Sequence, residues 1–438
     1  MLENESLWGK AQGDPVGKPR IPLFETVVGL SNAMDLVNPG LVDHHKRVAY
    51  IALSIGAEMG LSYGEQTNLL WAGLLHDSGA ISLKESLGYT TSARMDPEKH
   101  AKLGYLLFRD FEPFSEVATL IRYHRTPWGD GAGKEGDGNG VPTGSHILHL
   151  ADRVAVLLRD QKKVLHQAEG IAKEITAGRG EIFAPEIVQV FEGLADREYF
   201  WLDATSPSIS SILERRSVSV IVELDMTQLI DLAKLFCRVI DFRSRFTSTH
   251  SSGVATTAEK LFALVGSSET EAAMMRAAGY LHDLGKLAVP LEILEKPGGL
   301  TNEEFRIMKT HPFHTYRILE SIDNLHTINE WASFHHERLD GTGYPFHRKS
   351  EGITLGARIM AAADHFAAMT EDRPYRPGMP ASQVLRIMEE EVGSMRLDPD
   401  VVSTLAKHSD EVNDVRITGQ TTAYTEYQEF ARQFDAMD

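Results

Sequence analysis

The adjacent pair His282-Asp283, inside the apolar stretch Gly279 to Pro290, sets an imidazole and a carboxylate side by side where both can face one cation. Counting outward, His250 lies 32 residues upstream of His282, while His311, the doublet His335-His336 and Asp364 lie 29, 53 and 54, and 82 residues downstream. A single histidine on an apolar helix is usually a core or surface residue, so no one of these positions says much alone. Together they offer imidazole nitrogen and carboxylate oxygen, the donor set of Mn, Fe, Zn or Ni rather than of Ca. The lack of cysteine partners argues against a structural zinc site.

The elements that must position these residues read as successive helices from Ile21 onward. Arg47 to Ile55 has helical apolar spacing, and Asn68 to Leu75 is a short apolar helix running into a second pair, His76-Asp77. That second pair exposes an internal repeat. His44 precedes His76 by 32 residues as His250 precedes His282, and His100 precedes His124 by 24 as His311 precedes His335. Asp152 answers Asp364, and Pro185 answers Pro399. The offset drifts from 206 at the His-Asp pair to 211, 212 and 214 further on, as small loop insertions between two copies of one fold would produce. The expected organisation is all-α: an N-terminal arm over 1–20, a helical domain over 21–198, a connector over 199–225, a second helical domain over 226–410, and a polar tail over 411–438.

Within the connector, Ser217 to Asp225 alternates apolar and polar residues and fits either a short strand or part of a helix. Gly131 to Gly144 reads as a surface loop; with no Lys-Ser/Thr following, it is not a phosphate cradle. Thr301 to Glu304 has the pattern of a capping box opening a helix toward His311, and Pro312 marks a helix boundary there. Gly285 is expected to let the chain turn sharply after the His-Asp pair. The tail from about Asn413 suggests one terminal helix and carries no functional signal.

Composition excludes several function classes. With 438 residues, 42% of them hydrophobic, the chain can bury substantial cores in two or three domains. The lone Cys237 rules out an intramolecular disulfide and fits a reducing, cytoplasmic setting. No signal-peptide pattern and no run of about 18 apolar residues is present, so no membrane partner is expected. The formal net charge of 44 − 62 = −18 argues against binding to a nucleic-acid polymer or an anionic membrane. A small phosphate ester at a metal-bearing pocket stays compatible with that charge, because bound cations dominate the local field.

The residues His250, His282-Asp283 with Gly285-Lys286, His311-Pro312, His335-His336-Glu337 followed by Asp340-Gly341-Thr342-Gly343-Tyr344-Pro345, and Ala363-Asp364 resemble the HD-GYP family of the HD phosphohydrolase superfamily. The match covers nearly all of 226–410, and its His-His-Glu and Gly-Tyr-Pro motifs are highly specific. The resemblance implies an all-α fold of two tandem HD-type domains, the first degenerate, and hydrolysis of cyclic di-GMP or the hybrid cyclic GMP-AMP to linear dinucleotide, the step on to mononucleotides being left open. It implies two divalent ions, Fe or Mn first and Ni or Zn next, with hydroxide attack on phosphorus. Carried over, His250, His282, Asp283 and Asp364 hold one ion, Asp283, His311, His335 and His336 the other, with Asp283 as the bridge. Such a centre suits the chemistry, since an anionic diester repels hydroxide and needs charge neutralisation and an activated water. Lys286 is assigned a phosphate oxygen, Tyr344 a wall of the pocket, and Arg373 and Arg376 the substrate.

Two departures stand out. Phe246 occupies the position where some family members carry a glutamate for a third ion, and Thr315 replaces the usual glycine after His-Pro-x-x. The first copy keeps His44, His76, Asp77 and Asp152, the set of a vestigial one-metal site, together with His100 and His124. However, Arg125 stands in place of the second histidine of the doublet, Ala80 replaces the lysine, and Trp128 to Gly131 runs on without Tyr-Pro. That half is expected to support or regulate the second. The alternatives are a catalytically silent cyclic-dinucleotide sensor, which the full ligand set weakens, and a phosphohydrolase for another nucleotide, which the Gly-Tyr-Pro loop weakens. The sequence leaves the oligomeric state open, a homo-oligomer included.

Overall fold

The computed structural model describes residues 20–37, 42–80, 97–129, 140–159, 163–217, 223–241, 249–372 and 377–437. Arg373, Arg376, Phe246 and most of the glycine-rich loop lie outside them. The described chain is almost wholly helical; its one sheet is the two-residue antiparallel pairing of Ile21–Pro22 with Glu223–Leu224. The alternating stretch in the connector therefore ends as a strand at Glu223–Leu224, whereas Ser217 closes the helix Ile209–Ser217. Gly144, expected in a loop, sits in the first turn of the helix Thr143–Leu157.

The two copies are built alike. The 15-residue helices His44–Glu58 and His250–Leu264 each open on a histidine. Each is followed by a 13-residue helix, Tyr63–Leu75 or Glu269–Leu281, that delivers the His-Asp pair at its C-terminal end. Both second helices start with the same capping box. Ser62 exchanges hydrogen bonds with Glu65, and Ser268 with Glu271, satisfying donors that a helix N-terminus leaves free. The expected box at Thr301 and Glu304 opens the helix Asn302–Met308.

Gly285 is needed for close approach rather than for an unusual backbone angle. A Cβ there would lie 2.0 Å from the His311 carbonyl oxygen, and one on Gly79 would lie 2.1 Å from that of His100. In each copy the turn after the His-Asp pair is thus pressed against the helix carrying the third histidine. Buried apolar side chains of both copies form one continuous cluster from Ile21 to Val412.

The tail is a 27-residue helix, Ser409–Asp435, with structural consequences the sequence reading missed. Its end reaches the first copy, where Lys102 Nζ donates to the Met437 carbonyl at 2.8 Å and Arg109 Nη2 to Gln433 Oε1 at 2.5 Å. Lys102 lies on Pro97–Phe108, the helix of His100, and Arg109 directly follows it. Among the described residues no helix is long and apolar enough to cross a membrane.

Candidate metal centres

In the C-terminal copy every expected ligand converges. His250 opens its helix, His282 and Asp283 join Glu269–Leu281 to a short 3-10 turn, and His311 begins His311–Glu320. His335 and His336 follow His326–Ser333, and Asp364 lies on Leu355–Thr370. Donor atoms of His250, His282 and Asp283 lie within 4.8 Å of one another, as do those of His311, His335 and His336. Asp283 stands between the two sets: Oδ2 is 3.3 Å from His282 Nε2, and Oδ1 is 3.5 Å from His311 Nε2. Asp364 likewise places Oδ1 at 3.1 Å from His250 Nε2 and Oδ2 at 4.0 Å from His336 Nδ1.

The histidines are aimed by their other ring nitrogen. Nδ1 of His282, His311 and His335 sits 2.7, 2.7 and 2.6 Å from the carbonyl oxygen three residues earlier, at Gly279, Met308 and Ala332. An N–H there donates to the carbonyl and leaves Nε2 facing the centre, the orientation a metal ligand needs. His250 opens its helix and is aimed differently. Its Nδ1 lies 3.0 Å from Glu371 Oε2, and that oxygen also accepts from Gln420 Nε2 at 3.1 Å. Gln420 belongs to the C-terminal helix and is gripped by Arg416 Nη1 at 2.5 Å. Sequence spacing gave no sign of Glu371 or Gln420, whose contacts bridge 121 and 49 residues.

A metal fits this donor set. His282 Nε2 is buried, points inward and has no hydrogen-bond partner, a state that is costly unless something binds there. Burial works to raise the Asp283 pKa, but the charges of His282 and Lys286 override it and hold the carboxyl well below its usual range. Burial pushes His311 down to about 3 and His335 down to about 4, so both imidazoles stand neutral as donors. His250 goes the other way, to about 10: burial lowers it, yet Glu371 and Asp364 outweigh that.

Lys286 places Nζ 2.5 Å from Asp283 Oδ2, on the carboxylate rather than out in the cleft. Thr315, the departure from the family pattern, accepts the Gly285 N–H at 2.9 Å and donates to the His282 carbonyl at 3.0 Å. It ties the metal-facing turn to the next helix. A cleft of about 370 Å³ opens over His335, His336 and Asp364, with Tyr344 and Phe305 in its wall. The Tyr344 ring leans on His336 at 4.8 Å, and burial raises its hydroxyl pKa.

The N-terminal copy repeats half of this. His44 Nε2 is 3.2 Å from Asp152 Oδ1, and His76 Nε2 is 3.3 Å from Asp77 Oδ2, with His76 Nδ1 on the Gly73 carbonyl at 2.9 Å. His76 Nε2 and Asp152 Oδ1 are buried without hydrogen-bond partners, so one ion fits here too. Burial lowers His76, but Asp77 and Asp152 raise it on balance to about 10. His100 and His124 meet at 3.2 Å between their Nε2 atoms, as His311 and His335 do. At the second place the donor atoms of Asp77, His100 and His124 lie within 4.8 Å of one another, but a guanidinium of the protein itself reaches in. Arg125 Nη2 lies 3.2 Å from Asp152 Oδ2 and 3.6 Å from Asp77 Oδ1, while its Nε is 3.3 Å from His124 Nε2.

Two HD-domain family models match the chain, over residues 41–157 and 234–401. It is 30% identical over 406 residues to the 3'3'-cGAMP-specific phosphodiesterase 1 of Vibrio cholerae, spanning 90% of this chain and 94% of that protein. It is 28% identical to phosphodiesterase 3 of the same name and organism, spanning 90% and 95%. A cyclic di-GMP phosphodiesterase of Thermotoga maritima is 35% identical over 189 residues, 43% of this chain and 51% of that protein. The crystal structure of a cyclic GMP-AMP specific phosphodiesterase of V. cholerae superposes with a TM-score of 0.65 at 25% identity, covering 90% of this chain and 98% of that one.

Two helical units with His-Asp centres define a tandem HD-domain protein, a class whose centres depend on metal. Full-length similarity to these phosphodiesterases, with the Gly-Tyr-Pro loop beside the second centre, narrows it further: the chain belongs to the HD-GYP family.

Proposed function

We propose that this chain hydrolyses a bacterial cyclic dinucleotide at its C-terminal centre, with 3',3'-cyclic GMP-AMP ahead of cyclic di-GMP. The observation that carries the reading is Asp283, one carboxylate oxygen turned to each of two histidine sets, beside a cleft that His335, His336 and Asp364 line. The order of substrates rests on relatives: those spanning about 90% of this chain are named for cGAMP, whereas the Thermotoga relative named for cyclic di-GMP spans 43%.

His250, His282, Asp283 and Asp364 would hold one divalent ion and Asp283, His311, His335 and His336 the other, Fe or Mn first, with Ni and Zn suited to the same donors. Bound ions supply charge neutralisation at the phosphoryl oxygens and lower the pKa of water for attack on phosphorus. Around them the chain's own groups orient and exclude. Lys286 holds Asp283 ionised and would have to turn from it to take a phosphoryl oxygen, Tyr344 closes one wall, and Arg373 and Arg376 supply further phosphate or base contacts. The product is linear dinucleotide, then mononucleotides. The working unit comprises the domains 21–198 and 226–410, in the cytoplasm, with the first in a supporting role.

Chromatography of products after incubating Mn- or Fe-loaded protein separately with 3',3'-cyclic GMP-AMP, cyclic di-GMP and cyclic di-AMP tests this. Cleavage of the first two, fastest for the hybrid, is expected. Tight binding without turnover by fully metallated protein would convert the reading to a sensor, and turnover of none with no binding would end it.

A further inference from the structure

The wall of the cleft has a feature that the ligand set does not explain. Phe305 is 43% exposed yet lines the same cleft as His336, Tyr344 and Asp364. Its helix, Asn302–Met308, buries none of its residues, so core packing does not account for an aromatic there. The capping box at Thr301 and the Lys296–Glu304 ion pair at 2.6 Å fix that helix in place.

The Phe305 ring meets Tyr344 at 6.1 Å with an interplanar angle of 84°, forming a right-angled corner. One turn later, Lys309 Nζ lies 5.0 Å from the Phe305 centroid and 5.2 Å from that of Tyr344. Lys309 has no carboxylate partner among the described residues, unlike Lys286 and Lys296, which are both ion-paired. Next to the imidazole of His336 the cleft thus presents Tyr344, then the exposed ring of Phe305, over which the unpaired ammonium of Lys309 stands on one side. Aromatic faces stack bases of any sequence, and a cation next to them takes phosphate.

We propose that Phe305 and Lys309 form a purine subsite of the C-terminal centre: a base of the cyclic dinucleotide lies on the open face of Phe305, and Lys309 takes the phosphate that is not being cleaved. The subsite rests on the substrate class proposed above. Loss of one base–aromatic stack corresponds to roughly 10- to 100-fold in affinity.

The test compares two diesters on full-length, metal-loaded protein: 3',3'-cyclic GMP-AMP, and bis(4-nitrophenyl) phosphate, which has no purine. Phe305→Ala should raise KM for the cyclic dinucleotide, and its loss of kcat/KM there should exceed its loss on the small diester by roughly tenfold or more. Phe305→Trp should restore KM and Phe305→Leu should not, since leucine fills space but cannot stack. Lys309→Gln should raise KM for the cyclic dinucleotide and weaken its dependence on salt. Equal losses on both diesters, or rescue by leucine, would overturn the subsite and make Phe305 a packing residue. Wild-type protein that cleaves the small diester but no cyclic dinucleotide would overturn the substrate class and the subsite with it.

Discussion

The N-terminal and C-terminal copies start from the same plan and diverge at a handful of positions. Both aim a His-Asp pair inward from a capped 13-residue helix, and both place a histidine pair at 3.2 Å beside it. In the second copy the next residue is His336, a donor; in the first it is Arg125, whose guanidinium sits on Asp77 and Asp152. An arginine is always charged and brings its cation covalently, so it neutralises the carboxylates that an ion would otherwise bridge. Lys286 and Glu371, the carboxylate behind His250, also have different residues, Ala80 and Arg159, at the equivalent positions of the first copy. One scaffold thus carries two histidine–carboxylate centres, one with an imidazole at its second place and one with a guanidinium there.

The largest expected effect comes from exchanging the residues that differ. His336→Arg should lower bound metal per chain and take turnover to the buffer baseline, measured by elemental analysis and product chromatography. Arg125→His should raise bound metal per chain without creating a second active centre, because Ala80 still stands where the second copy has its lysine. Unchanged metal in both variants would break the comparison at its root. Glu371→Ala should weaken metal binding by roughly 10- to 100-fold in a chelator competition, as losses of outer partners of metal ligands do. Glu371→Gln, which keeps an acceptor for His250, should lose less. The smallest effect is on stability: Thr315→Val leaves the Gly285 N–H and the His282 carbonyl unpaired and should cost about 1–3 kcal/mol in denaturant unfolding, with metal ligation intact.

Much of this contrast is written in the order of residues. The repeated intervals between His44 and His76 and between His250 and His282, and the Arg125 substitution, follow from counting, because ligands at the ends of short helices keep fixed separations. The capping box at Thr301 was equally readable as Thr-x-x-Glu, and the structure adds matching boxes at Ser62 and Ser268. Glu371 and Gln420 were not, since the hydrogen bonds that aim His250 join elements far apart in the chain and obey no local spacing. Nor was the role of the tail: its polar composition shows an exposed helix, while the glutamine that reaches Glu371 and the Phe434 that packs on Leu103 and Leu106 have meaning only after folding. Phe305 and Lys309 became legible once their helix was seen beside Tyr344.

The most direct measurement is turnover of 3',3'-cyclic GMP-AMP by two double variants of the metal-loaded protein, His76→Ala with Asp77→Ala and His282→Ala with Asp283→Ala. The first should keep most of the wild-type rate and the metal of the C-terminal centre, and the second should give no product. Loss of turnover in the first with its fold and C-terminal metal preserved, or cleavage by the second, would contradict the assignment of chemistry to the C-terminal copy alone.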